Sequence, residues 1–119
     1  MTSDLNDNSI VMKAVYGKTS ILFTADVGAT AQNELIENFG DQLLSDIVQV
    51  PHHGGPLSRR FNRFFKPWKF VVSTGPSLLS LPRELDMRAL PSKPLRTDQD
   101  GDLIFASDGN QFSRESGKL

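Results

Sequence analysis

Asp46-Ile47-Val48-Gln49-Val50 is a short, β-branched apolar run with a proline directly behind it, and it constrains the fold of this chain more than any other segment. A run of that length without helical periodicity reads as a central strand buried on both faces. Pro51 has no amide hydrogen to continue a ladder, so the strand ends there. Phe70-Val71-Val72-Ser73 repeats the pattern and is ended by Gly75-Pro76. Between the two runs, Ser58 is placed to cap a helix continuing through Lys66, with Phe61, Phe64 and Phe65 as its apolar stripe and Pro67 as its stop. Strands interleaved with helices favour an α/β layered domain over a bundle or a sandwich.

The flanking segments extend this pattern. Ser9 to Tyr16 sets Ile10, Met12, Ala14 and Tyr16 against Val11, Lys13 and Val15, a strand whose second face is partly buried. Gly17-Lys18 turns the chain into the apolar strand Ser20 to Thr24, and the hairpin delivers Asp26 to the end of the sheet. Leu35, Ile36 and Phe39 recur at helical spacing within Ala29 to Phe39, and Gly40 stands where a left-handed C-cap residue belongs. In Leu78 to Leu90, either Pro82 opens a short helix at its first position or Leu78, Leu79 and Leu81 simply cover the core. Leu95 to Thr97 and Leu103 to Ala106 read as strands joined by the polar turn Asp98-Gln99-Asp100-Gly101, and Asp108-Gly109 turns the chain again before Gln111 to Ser113.

With 119 residues, 38% hydrophobic and 23% charged, the chain holds one soluble domain with one modest core. A formal net charge of -1 leaves no overall basic footprint for nucleic acid, which would have to be met locally. The absence of cysteine excludes disulfides and thiolate zinc sites. No apolar run approaches the roughly 20 residues of a membrane span, and the polar stretch Met1 to Asn8 is not a signal peptide. A stand-alone chain of this kind is expected in the cytoplasm, with flexible ends at 1–8 and 115–119.

Candidate chemistry gathers at two strand ends. His52 and His53 are the only two histidines, and they follow the strand Ile47 to Val50 directly. They could be metal ligands or acid-base groups, or loop histidines satisfied by backbone contacts. In an extended segment only one of the two faces a given site. Asp26 could bridge or ligate a metal, or make a turn and cap the following helix. Arg59, Arg60, Arg63 and Lys66 could meet phosphates, but a solvated helix face is the simpler explanation. Asp98, Asp100 and Asp102 lack the downstream bidentate glutamate of a calcium loop. Ser73 and Thr74 have no base partner in the sequence, so a serine nucleophile is not indicated.

The order of these segments resembles something specific. A strand pair ending in Thr24-Ala25-Asp26, a helix, Asp46-Ile47-Val48-Gln49-Val50-Pro51-His52-His53-Gly54, a Ser-capped Phe helix, Lys66-Pro67, the strand Phe70 to Ser73 with Gly75, then Arg96-Thr97-Asp98-Gln99-Asp100-Gly101 is similar to the C-terminal half of the metallo-β-lactamase-fold domain of ComEC-type competence proteins. The resemblance covers about Asn8 to Gly109. It implies a four-layer αββα fold, of which this chain is the C-terminal half, with a mixed sheet and helices packed on one face. It also implies two bound metal ions, zinc or manganese, and hydrolysis of phosphodiesters such as nucleic acid by a metal-bound hydroxide. Residue by residue, Asp26 matches the aspartate that bridges the metals, His52 matches a terminal histidine ligand, and His53 is its neighbour, with a catalytic role open to it.

Three departures qualify the match. The family's main His-x-His/Asp-x-Asp-His metal motif is absent, Gly54-Gly55 stands where the family has Gly-Ser, and Leu78 to Pro82 contains no histidine. Two ligands fall short of the three that a catalytic zinc keeps. The expected function is therefore a hydrolase fragment, active only when an N-terminal half-domain supplies the missing motif, and extracytoplasmic if its parent is a ComEC-type protein. The alternative is a catalytically inactive half-domain that homo-oligomerises, most simply as a homodimer, through the sheet face it would otherwise expose.

Overall fold

Short apolar strands alternating with amphipathic helices build a five-stranded mixed sheet in the computed structural model, which describes residues 10–74 and 82–115. In spatial order the strands are β1 (Met12–Tyr16), β2 (Thr19–Phe23), β3 (Ile47–Gln49), β4 (Lys69–Val72) and β5 (Leu95–Arg96). β1 and β2 form the expected antiparallel hairpin, and β2 to β5 run parallel. Their connections carry helices α1 (Ala29–Phe39), α2 (Arg59–Phe64) and α3 (Glu84–Ala89). Gly75-Pro76, Leu78 to Leu81 and the two chain ends, 1–9 and 116–119, lie outside the described residues.

Register decides which side chains meet the helices. Leu22 of β2, Val48 of β3 and Phe70 of β4 are adjacent in the ladder, and with Val72 they are all at most 2% exposed. They join Ile36 of α1, Phe61 and Phe65 around α2, and Met87 and Leu90 around α3 in one core. The architecture is thus mixed α/β with helices on one face. Positions Met12, Ile21, Phe23, Gln49 and Val71 alternate to the other side, where Met12 is 60% and Phe23 is 43% exposed.

That second side is partly roofed by an antiparallel hairpin of β6 (Ile104–Ser107) and β7 (Phe112–Glu115). Trp68, directly before β4, anchors it by ring contacts to Phe105 and Phe112 at 5.9 and 6.5 Å. The hairpin's turn also reaches the β1–β2 turn, where the Lys18 amide donates to the Gly109 carbonyl. A Cβ on Gly17 would stand 2.3 Å from that oxygen, so the approach requires glycine. Between hairpin and sheet remains a groove of about 440 Å³ lined by Ile21, Phe23, Gln49, Val71, Thr97 and Phe105.

Local signals held well where chain-intrinsic chemistry decides. α1 and its positive-φ Gly40 fall where spacing places them, and the Ser58 hydroxyl accepts the Phe61 amide at 3.0 Å. Four expectations need correction. All five residues of β1 are exposed, because β1 is an edge that the helices do not reach. α2 stops at Phe64 rather than Lys66, with Phe65 already extended. Pro82 precedes α3 by two positions, with Arg83 as the cap residue, instead of opening it. Finally, Asp98 to Gly101 is not a hairpin turn: Thr97–Asp100 is a helical turn, α4, and β6 belongs to a different sheet from β5.

Arg96 explains the last of these. Its Nε and Nη2 donate to the two oxygens of Asp98 at 3.0 and 2.7 Å, its Nη1 donates to Glu84 at 2.8 Å, and its backbone amide donates to Asp100 at 2.8 Å. Curling the aspartates back onto Arg96 rolls the segment into a helical turn. Glu115, expected from the sequence to lie in a flexible end, is the last residue of β7.

Candidate functional site at the strand ends

Asp26 sits in a turn that β3 holds from the side. The Gln49 side-chain oxygen accepts the amides of Thr24 and Ala25 at 3.0 and 3.3 Å, while the Thr24 hydroxyl donates to the Gln49 carbonyl at 2.7 Å. Ala25 pays for this geometry with a left-handed backbone, φ 53°, where the resembled family more often has glycine.

The histidine pair approaches the same turn from the end of β3. The His52 amide donates to the Ala25 carbonyl at 2.9 Å, and His52 and His53 both have left-handed backbones, φ 57° and 56°. Three non-glycine residues in this region of conformational space surround one spot, a clustering typical of functional sites. The rule that neighbours alternate sides applies to extended chain and does not govern this turn.

The imidazole beside Asp26 is that of His53. Its Nε2 stands 3.5 Å from Asp26 Oδ1, and its Nδ1 is 2.8 Å from the Ser73 carbonyl oxygen at the end of β4. A carbonyl only accepts, so Nδ1 carries the hydrogen and the lone pair of neutral His53 lies on Nε2. Nε2 and the Asp26 carboxylate are then two acceptors facing each other, each side chain about half exposed. Such a confrontation is relieved by a cation between them, a proton or a metal. With zinc–nitrogen and zinc–oxygen distances near 2.0–2.2 Å, two donors on one tetrahedral ion stand about 3.4 Å apart. The donor chemistry and the spacing of this pair therefore fit a divalent ion, and the backbone carbonyl behind the ring is the usual outer partner of a ligating histidine.

His52, to which the resemblance assigns the ligand role, meets the Asp26 turn through its backbone amide. Among the described residues, no three His, Cys, Asp or Glu side chains converge to hold a metal. Arg59, Arg60 and Arg63 lie exposed on α2, with Arg60 4.0 Å from Glu37, and Lys66 is exposed just beyond it.

Sequence patterns did not expose the residues that support the site. Gln32, 1% exposed, bonds the Val27 and Pro56 carbonyls and the Ser58 amide, tying α1 to the loop behind the histidines. A polar residue at a core position of an amphipathic helix was the available signal. Gly55 has φ 116°, and a Cβ there would stand 2.6 Å from an Asp86 carboxylate oxygen, which accounts for glycine where the resembled pattern has serine.

Comparison with known proteins gives a narrow result. Over 108 residues, 86% of its length, the chain is 32% identical to a Competence protein ComA of Neisseria gonorrhoeae, of which it covers 16%. Over 63 residues, 48% of its length, it is 36% identical to the uncharacterized protein YcaI of Escherichia coli (strain K12), of which it covers 8%. The chain thus spans less than one fifth of either relative. No family model matches it, and no solved structure matches it. Among the described residues, no helix is long and apolar enough to cross a membrane.

Proposed function

We propose that this chain is the C-terminal half of a metallo-β-lactamase-type hydrolase and contributes Asp26 and the His52-His53 pair to a zinc or manganese site completed by residues from an N-terminal half. The observation that carries the reading is the 3.5 Å approach of two acceptors, Asp26 Oδ1 and His53 Nε2, with the other ring nitrogen engaged by the Ser73 carbonyl. Two such groups are one corner of a site, and a catalytic zinc needs at least one more protein ligand. When bound, the metal would polarise a phosphoryl oxygen and lower the pKa of water. The chain's own part is to hold a carboxylate and an imidazole lone pair on rigid strand ends.

Phosphodiester or nucleic-acid hydrolysis is the proposed reaction of the completed site, supported by the likeness to a competence protein along 86% of this chain. In such a parent the domain would work outside the cytoplasm. The test is zinc titration of the chain alone and after mixing with the parent's N-terminal half, alongside hydrolysis of a phosphodiester reporter. Weak binding alone, with tight binding and hydrolysis only in the mixture, is expected. Full activity of the isolated chain overturns the reading.

The open sheet face favours a second reading, a homo-oligomeric binding module without activity. Met12, Tyr16 and Phe23 expose apolar surface beside the groove. Sedimentation separates the two: a stable dimer broken by Phe23→Glu supports self-association, whereas a monomer that captures the N-terminal half supports the first reading.

A further inference from the structure

The segment Arg96 to Gly101 has no part in the site as described, yet one of its residues touches the peptide on which His53 depends. The Thr74 amide donates to Thr97 Oγ1 at 2.8 Å, and the Thr97 hydroxyl donates to the Thr74 carbonyl at 2.7 Å. One side chain therefore clasps both backbone groups of Thr74. The Thr74 N–H and the Ser73 C=O belong to the same peptide unit, and that C=O receives the His53 Nδ1 hydrogen at 2.8 Å.

The bonds form a series: His53 Nδ1–H to Ser73 O, and through the same amide plane Thr74 N–H to Thr97 Oγ1. A peptide that donates at its N–H becomes a better acceptor at its C=O, so the two bonds strengthen each other. The clasp also fixes the direction of the carbonyl, and with it the ring's tautomer and orientation. Thr97 is itself held, since the neighbouring Arg96 is pinned by Asp98, Glu84 and Asp100.

We propose that Thr97 is a positioning residue for His53, acting through the Ser73–Thr74 peptide to keep the hydrogen on Nδ1 and the lone pair of Nε2 turned toward Asp26. The inference rests on the proposed metal-binding reading for its purpose, but not for its geometry.

The experiment is nitrogen-15 NMR of the histidine rings in the full chain without metal, followed by zinc titration. Wild type should show neutral His53 predominantly as the Nδ1–H tautomer, the reverse of the preference of free histidine in water. Thr97→Val keeps the side chain's shape, removes the hydroxyl, and should shift His53 toward the Nε2–H form and weaken zinc binding about tenfold, the lower edge for outer-shell partners. Thr97→Ser should restore both. If the valine variant does not fold, Thr97→Ala removes the hydroxyl without placing a methyl group against the Thr74 amide. An unchanged tautomer in a folded variant lacking the hydroxyl, or failure of serine to restore it, overturns the proposal. Should the tautomer respond as expected while wild type takes up no zinc even when mixed with the N-terminal half, the metal-binding reading fails and the positioning role of Thr97 stands.

Discussion

Two acid–base pairs end neighbouring parts of this sheet and are built in opposite ways. Arg96 and Asp98 make a closed pair: the guanidinium side chain is 8% exposed, both carboxylate oxygens are engaged, and Glu84 takes a further donor. The hydrogen bond from Arg96 holds the Asp98 carboxyl below the usual carboxylate range, and the same contact raises Arg96. Asp26 and His53 make an open pair, half exposed and 3.5 Å apart, with the ring's only available hydrogen spent on Ser73. Saturated donors and acceptors stabilise a fold; an imidazole and a carboxylate that face each other half exposed at a strand end are accessible for chemistry.

Mutation should separate the pairs. Arg96→Ala leaves Asp98 without its partner and should cost about 3 kcal/mol of stability in urea unfolding, in the range for breaking a buried ion pair. A loss below about 1 kcal/mol would break the contrast. Acid should act on the same pair. Because the folded Asp98 carboxyl titrates below its unfolded value, its contribution is complete above the ordinary aspartate range and disappears as pH falls through the depressed value. A wild-type stability curve and an Arg96→Ala curve should therefore converge at low pH; curves that stay parallel would remove the linkage.

At the open pair, Asp26→Asn and His53→Ala should each leave stability within about 0.5 kcal/mol, as for exposed positions, while removing specific zinc uptake seen by calorimetry. His52→Ala sharpens the assignment. The resemblance gives the ligand role to His52 and the geometry puts His53 beside Asp26, so metal loss confined to one variant identifies the ligand. The smallest effect belongs to Ala25→Gly. Relief of a left-handed alanine, about 1 kcal/mol, is offset by added entropy of the unfolded chain, about 0.4–1 kcal/mol. A thermal shift corresponding to more than about 1 kcal/mol in either direction would show that the Ala25 methyl does more than tolerate the turn.

How far the sequence could be read depended on how local the deciding physics was. The cap at Ser58, the helix Ala29–Phe39 and the buried runs around Val48 and Phe70 follow from a few neighbouring residues, and all appear. The turn at Asp98 was misread because Arg96, two residues away, draws the carboxylates inward with help from Glu84, twelve residues away in sequence and adjacent only in space. Alternation made one histidine of the pair the expected ligand, and that argument presumes extended backbone. Left-handed turns at both positions set it aside.

From sequence alone came the α/β class, the strand ends on which Asp26, His52 and His53 stand, and the count of two histidines and no cysteine, because periodicity, proline stops and residue counts are properties of the chain itself. Tertiary structure alone decided that the His53 ring lies against Asp26, that Gln49 and Thr97 hold the two strand ends from the side, and that one sheet face is roofed only in part. Those outcomes depend on which strands lie side by side and in what register, and hydrogen bonds between residues about twenty to twenty-five positions apart have no local signature in sequence.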